Sequence, residues 1–172
     1  SSDSPIADYP IKSESELMAE AKAAYDNGAY RYCMVFAGRG PSKGRVKKLA
    51  SIIKAIKKNY PIQVCLSPGL IDDDDANHLK KAGLDRLNHN LNTSARHYQS
   101  ICSTHTYDDR LNTLYAAQKA GLETCSGMIV GMGESVADII EVVLKLRELN
   151  TPSIPVNFYI PLEGAPLKEK VD

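Results

Sequence analysis

Apolar and polar positions fall into blocks along the chain, and the blocks alternate between helical and extended character in a regular order. Ser13-Glu14-Ser15-Glu16 opens a predicted helix that runs to about Asn27, with the serine and early glutamates suited to its positive end and Gly28 as its stop. Tyr30 to Ala37 is β-branched and aromatic, a strand carrying Cys33, and Gly38-Arg39-Gly40-Pro41-Ser42 turns it into a helix over about Lys43 to Asn59. Ile62 to Ser67 is the next strand. Pro68-Gly69 leads from it to a helix that opens in Asp72-Asp73-Asp74-Asp75 and stops at Gly83. A strand is then due, and Leu87-Asn88-His89-Asn90-Leu91-Asn92 stands in its place. The connection from Ser94 to Thr106 is longer than a usual strand-to-helix loop. Tyr107 to Ala120 is a helix capped by Gly121, Leu122 to Val130 a strand carrying Cys125, Ser135 to about Leu149 a helix, and Ile154 to Ile160 a last strand. One helix, four βα units and a closing strand imply parallel strands with helical crossovers, an α/β fold of either the doubly wound or the barrel kind.

Side-chain parity separates the two. Asn88, Asn90 and Asn92 recur at period two, so an extended segment puts three amides on one face, bordering solvent or a polar ligand; an asparagine-rich loop with Asx turns fits the same residues. The matching faces of the other strands hold Cys33 with Val35, Gln63 with Cys65 and Ser67, Cys125 with Gly127, and Asn157 with Tyr159. A doubly wound sheet is covered by helices on both faces and would be aliphatic on both, whereas a barrel interior can carry sulfurs and amides. An arc of a barrel is therefore expected. Its functional end is where Gly38-Arg39-Gly40, Asn90-Leu91-Asn92 and Gly131-Met132-Gly133 fall, at the carboxyl ends of the strands. Three strand-borne thiols on one wall suit a soft metal or an iron–sulfur cluster, with three unrelated core cysteines as the plainer reading.

Composition narrows the partners. The 172 residues suffice for one domain, and Lys+Arg and Asp+Glu both number 21, so no net field favours nucleic acid or an anionic membrane. Neither a spanning apolar run nor a leader is legible, and Cys33, Cys65, Cys102 and Cys125 read as reduced thiols of a cytoplasmic protein. The glycine turn after the first strand lacks both the P-loop ending and the dinucleotide spacing, the four aspartates read as a solvated helix cap, and His97, Cys102 and His105 match no common closed zinc pattern.

Arg31-Tyr32-Cys33, Gln63-Val64-Cys65, Asn88 to Ser94, Thr104-His105-Thr106-Tyr107, Cys125-Ser126-Gly127, Ile129 to Glu134 and Ser153 to Phe158, in this order and spacing, resemble the biotin synthase family of radical S-adenosylmethionine (SAM) enzymes. The resemblance covers nearly the whole chain. It implies a TIM-type barrel, of which parallel βα units over 1–172 form a single partial domain, and the conversion of dethiobiotin to biotin by sulfur insertion. In the family a 4Fe-4S cluster cleaves SAM to a deoxyadenosyl radical and a 2Fe-2S cluster supplies the sulfur. Cys33, Cys65 and Cys125 match the cysteines of the 2Fe-2S site, and their sulfurs are expected within reach of one small cluster. Asn90 resembles the residue that meets both SAM ribose and the ureido group of dethiobiotin, and Asn92 stands where the family often has an aspartate on the ribose. Arg110 resembles the arginine at the SAM carboxylate, Ile129, Gly131 and Gly133 the segment on the adenine, and Asn157 the asparagine on the ureido ring. Cys102 matches no ligand.

The sequence departs from the family in two ways. The Cys-x-x-x-Cys-x-x-Cys triplet of the 4Fe-4S cluster does not occur in it, and the last strands of the barrel, with the arginine that completes the 2Fe-2S site, are also missing. No catalytic residue is assigned, and the isolated chain is expected to be inactive. Alternatives are another radical SAM branch, such as a hydrogenase-cluster maturase relative, and a degenerate partial barrel that binds a metal or partner without catalysis. An open arc exposes strand edges and suits pairing into a homodimer.

Overall fold

Every helix starts where a side chain takes over free backbone amides. The computed structural model describes residues 12–161; the polar lead with Pro5 and Pro10 lies outside them. Helices α1 (Glu14–Asp26), α2 (Lys43–Asn59) and α3 (Asp73–Lys81) are N-capped by Ser13, Ser42 and Asp72. Asp72 and Asp75 both pair with Lys43, at 2.6 and 2.7 Å, so the aspartate run is a cap neutralised from α2. A short helix, α4 (Ala95–Ile101), lies inside the connection expected to be loop. Its cap, Ser94, is visible in the sequence, but seven residues are too few to show a period. Helices α5 (Tyr107–Lys119) and α6 (Val136–Glu148) follow their caps, Thr106 and Ser135.

The strands are β1 (Arg31–Val35), β2 (Gln63–Ser67), β3 (Arg86–Asn88), β4 (Glu123–Cys125), β5 (Met128–Val130) and β6 (Val156–Phe158). All pairs are parallel, in the orders β1-β2-β3-β4 and β5-β6, and single bridges Asn92 to Met128 and Cys125 to Ser153 join the two groups. Two expected strands are thus cut. The ladder expected over Leu87 to Asn92 ends at Asn88 and resumes only at Asn92, whose φ of 70° is left-handed. The run Leu122 to Val130 splits at Ser126-Gly127 into β4 and β5, with no helix between them. A Cβ on Gly127 would lie 1.8 Å from the Pro155 carbonyl oxygen, so the backbones pass too closely for a side chain. Both breaks fall where the bridged partners change, as they do when a sheet shears around a barrel. The last strand is likewise shorter than Ile154 to Ile160.

One face of the arc is packed and the other open. Tyr32, Met34, Val64, Leu66 and Leu87 turn outward onto Leu17, Ile53, Ile56 and Leu79 of the helices in a first buried cluster. A second gathers Leu91, Tyr98, Leu114, Met128, Val142 and Leu146. Each such side chain adds roughly 1.5–3 kcal/mol on full burial. On the opposite face Cys33 is exposed and Val35 is 70% exposed, and no second helical layer covers them among the described residues. The architecture is a barrel arc with a polar concave wall.

Candidate cofactor and substrate wall

Register stacks the concave face in layers. Cys33 lies opposite Cys65, Cys65 opposite Arg86, and Arg86 opposite Glu123, so one layer holds two sulfurs and an ion pair. Cys125 lies opposite Asn88, two residues further along, which sets it about 6.6 Å above that layer. Its Sγ donates to Ser153 Oγ at 3.4 Å. The structure therefore brings Cys33 and Cys65 into contact and leaves Cys125 on the same wall, one layer up. Among the described residues no three His, Cys, Asp or Glu side chains close into a ready-made metal cage.

The thiol pair is electrostatically uneven. The Cys33 thiol is held down to about 7 by its hydrogen bond from Cys65, with Arg31 and Arg86 adding to this against burial. Cys65 is pushed up by giving that hydrogen bond and by burial. Arg31 is bonded to Gln63 and, at 3.2 Å, to Glu123, and Arg86 reaches Glu123 at 2.8 Å. Two guanidiniums shared by one carboxylate leave positive charge beside the sulfurs, a fit for thiolates and for an anionic iron–sulfur centre held by them.

The carboxyl ends of the strands carry the other named residues. Arg110, from the first turn of α5, donates to the Asn90 carbonyl at 2.6 Å and to the Tyr98 hydroxyl, with its guanidinium 5.6 Å from the Tyr98 ring centre. Among the described residues no carboxylate pairs with it, so its charge can meet a ligand carboxylate. Asn90 Oδ1 accepts from the Gly127 amide at 3.1 Å, fixing its carboxamide over the strand break. Asn92 gives its amide to Gly127 O at 3.0 Å and takes that of Ile129 at 2.8 Å. Ile129 lies opposite Asn157, which is exposed on the edge strand. Gly131 and Gly133 adopt φ of 96° and 88°, backbone that an L side chain rarely takes.

Several structural partners were not singled out from sequence. Glu134 accepts from the amides of Gly131 and Met132, both at 2.7 Å, and so shapes the glycine turn. Asp138 is buried and joins α6 to Ser94. His89 is buried on the opposite face from Asn88, with Nε2 unpaired. The loop histidines part company: Cys102 Sγ meets His105 Nδ1 at 3.6 Å, while His97 Nε2 is bonded to the Met132 carbonyl at 3.2 Å. Beside Arg110 a pocket of about 530 Å³ opens among Arg39, Tyr98, Cys102, His105 and Asp109.

A parallel βα arc with sulfurs on its concave wall, and an unpaired arginine and glycine turns at the strand ends, is half of a known barrel. Residues 3–146 match the radical SAM superfamily, and the chain belongs to it. The fold agrees with methylornithine synthase (PylB), TM-score 0.84 at 19% identity over 95% of this chain and 49% of that one. It agrees also with the hydrogenase maturase HydG from Carboxydothermus hydrogenoformans, TM-score 0.75 at 20% identity over 95% and 39%. Within the superfamily, biotin synthases are among the chain's curated sequence relatives. That of Magnetococcus marinus is 54% identical over 166 residues, 96% of this chain and 52% of the relative. That of Acaryochloris marina is 55% identical over 166 residues, 96% and 48%. The chain spans about half the length of the curated relatives it matches.

Proposed function

We propose that this chain is the ligand-facing wall of a biotin synthase, which inserts sulfur into dethiobiotin by radical SAM chemistry. One observation carries the reading: in a chain about half identical to biotin synthases, the thiols of Cys33, Cys65 and Cys125 share the concave wall. Those three cysteines would hold a 2Fe-2S cluster, with the guanidiniums of Arg31 and Arg86 offsetting its negative charge. When bound, that cluster supplies the sulfur, and a 4Fe-4S cluster, whose cysteine triplet does not occur in this sequence, supplies the electron for SAM cleavage.

The chain's own residues bind and orient. Arg110 pairs with the SAM carboxylate, and Asn92 hydrogen-bonds a ribose hydroxyl, for which an amide serves as well as a carboxylate. Asn90 offers its amide NH₂ to ribose and ureido oxygens. Ile129, Gly131 and Gly133 let the backbone lie against the adenine. Asn157 both donates to and accepts from the ureido ring. The thiols require a reducing compartment, which the cytoplasm provides.

The test is growth of a biotin auxotroph carrying this chain joined to the flanking segments of the Magnetococcus marinus enzyme. Rescue that is lost on Cys65→Ala is expected. Absence of rescue by a well-folded hybrid, together with no iron or sulfide bound after anaerobic reconstitution, would leave a partial barrel that catalyses nothing.

A further inference from the structure

We propose that Asp138 is a positioning residue: its buried carboxylate fastens the Asn90–Ser94 segment to the Gly131–Ser135 segment and so sets the spacing of these two segments at the strand ends. The role of the two segments in holding SAM rests on the function proposed above; the fastening itself does not.

Both segments end in a helix N-cap. Ser94 caps α4, directly after Asn92 and Thr93; Ser135 caps α6, directly after the glycine turn. Asp138 Oδ1 accepts from Ser94 Oγ at 2.6 Å and from Arg96 Nη2 and Nε at 2.7 and 3.1 Å. Its Oδ2 accepts from Ser135 N and Oγ at 2.8 and 2.5 Å. One carboxylate thus holds the caps of two helices that leave different strands. Two further bonds run alongside it, Ala95 N to Glu141 Oε1 at 3.1 Å and His97 Nε2 to the Met132 carbonyl at 3.2 Å.

An ordinary capping box needs only the Ser135 half. The boxes of α1, α3 and α5 show this, for Glu16, Asp75 and Asp109 each close on their own cap and none accepts from the cap of another helix. Asp138 is 4% exposed, and a carboxylate so buried is costly unless every lone pair is used. The bonds from Ser135, Ser94 and Arg96 hold its pKa far below the usual carboxylate range.

Hydrogen–deuterium exchange on this chain tests the proposal through effects that cross from one segment to the other. Asp138→Asn should speed exchange of the Asn92 and Ile129 amides by about tenfold, although neither belongs to α6. Ser94→Ala leaves the capping box of α6 intact, and should speed exchange of the Gly131 and Met132 amides by a similar factor. Glu16→Gln, which removes the equivalent acid from α1, should change neither segment. If each variant loosens only the first turn of its own helix, Asp138 is a plain cap and the proposal fails. Ser94→Ala keeps the test open should Asp138→Asn not fold. Equilibrium dialysis of the hybrid described above with S-adenosylhomocysteine reads the ligand side: affinity should drop about tenfold in both variants, while Ser94→Thr, which keeps the hydroxyl, should bind as the wild type does. Crossed exchange, together with a well-folded wild-type hybrid that binds no S-adenosylhomocysteine, would keep the fastening and overturn the SAM assignment.

Discussion

His89 shows how a single residue can be misjudged from its neighbours. It sits between Asn88 and Asn90 but, unlike them, is buried, and burial foremost, then Arg110 and His105, hold its pKa from 6.5 down to about 3. Between those values the unfolded chain binds a proton that the folded chain refuses. Its contribution to stability is therefore complete above pH 6.5 and is lost as pH falls toward 3. His89→Leu removes both this proton linkage and the unpaired Nε2, so urea midpoints of the variant should fall less between pH 7 and pH 5 than those of the wild type. Parallel falls would show that other groups set the acid limb. On the concave side, Asn157→Ala in a protein with the whole barrel should weaken dethiobiotin binding while sparing SAM, by roughly 1–3 kcal/mol for a lost pair of hydrogen bonds. Equal loss of both ligands in calorimetry would reduce Asn157 to a wall residue. The named site residues were singled out through the resemblance of their motifs and, for the amides and thiols, through strand parity. Glu134 and Asp138 were not, because an acid near a helix start looks the same whether it caps one helix or two.

Elements were legible wherever a cap and a long enough period coincided. Ser13, Ser42, Thr106 and Ser135 announce α1, α2, α5 and α6, and each begins one residue later. What was missed is short or non-local. The seven residues of α4 carry no period, and the breaks after Asn88 and Cys125 depend on which neighbour each strand meets. Gly127 marks the second break, and its cause is a partner backbone that no local pattern reveals. Gly127→Ala should destabilise by on the order of 3 kcal/mol, because the carbonyl it meets belongs to the main chain and cannot rotate aside. A urea midpoint close to wild type would mean that β6 moves freely against β5.

At the scale of the whole chain, the α/β order and the polar wall followed from parity, while the barrel's extent did not, since an arc and a closed ring share the same local code. Reducing agent and SAM added to this chain alone should yield no deoxyadenosine, because the cysteine triplet does not occur in the sequence. Turnover amounts of deoxyadenosine by chromatography would overthrow the reading of the electron source. Val156 and Phe158 in β6, and Ile160 just past it, stand 50%, 74% and 73% exposed. Sedimentation should therefore show concentration-dependent association that Phe158→Lys reduces.

The division of the interior into two apolar clusters gives the chain a direction of assembly. The first cluster is built from α1 to α3 and their strands, with only the far end of α5 and Leu122 added later; the second draws on nothing before Leu91. During synthesis the leading half can bury most of its own core before the trailing half has left the ribosome, and the trailing half then condenses on a finished edge. Opening should run the other way, with the segment that carries Arg110 and the glycine turns loosening before the layer of Cys33 and Cys65.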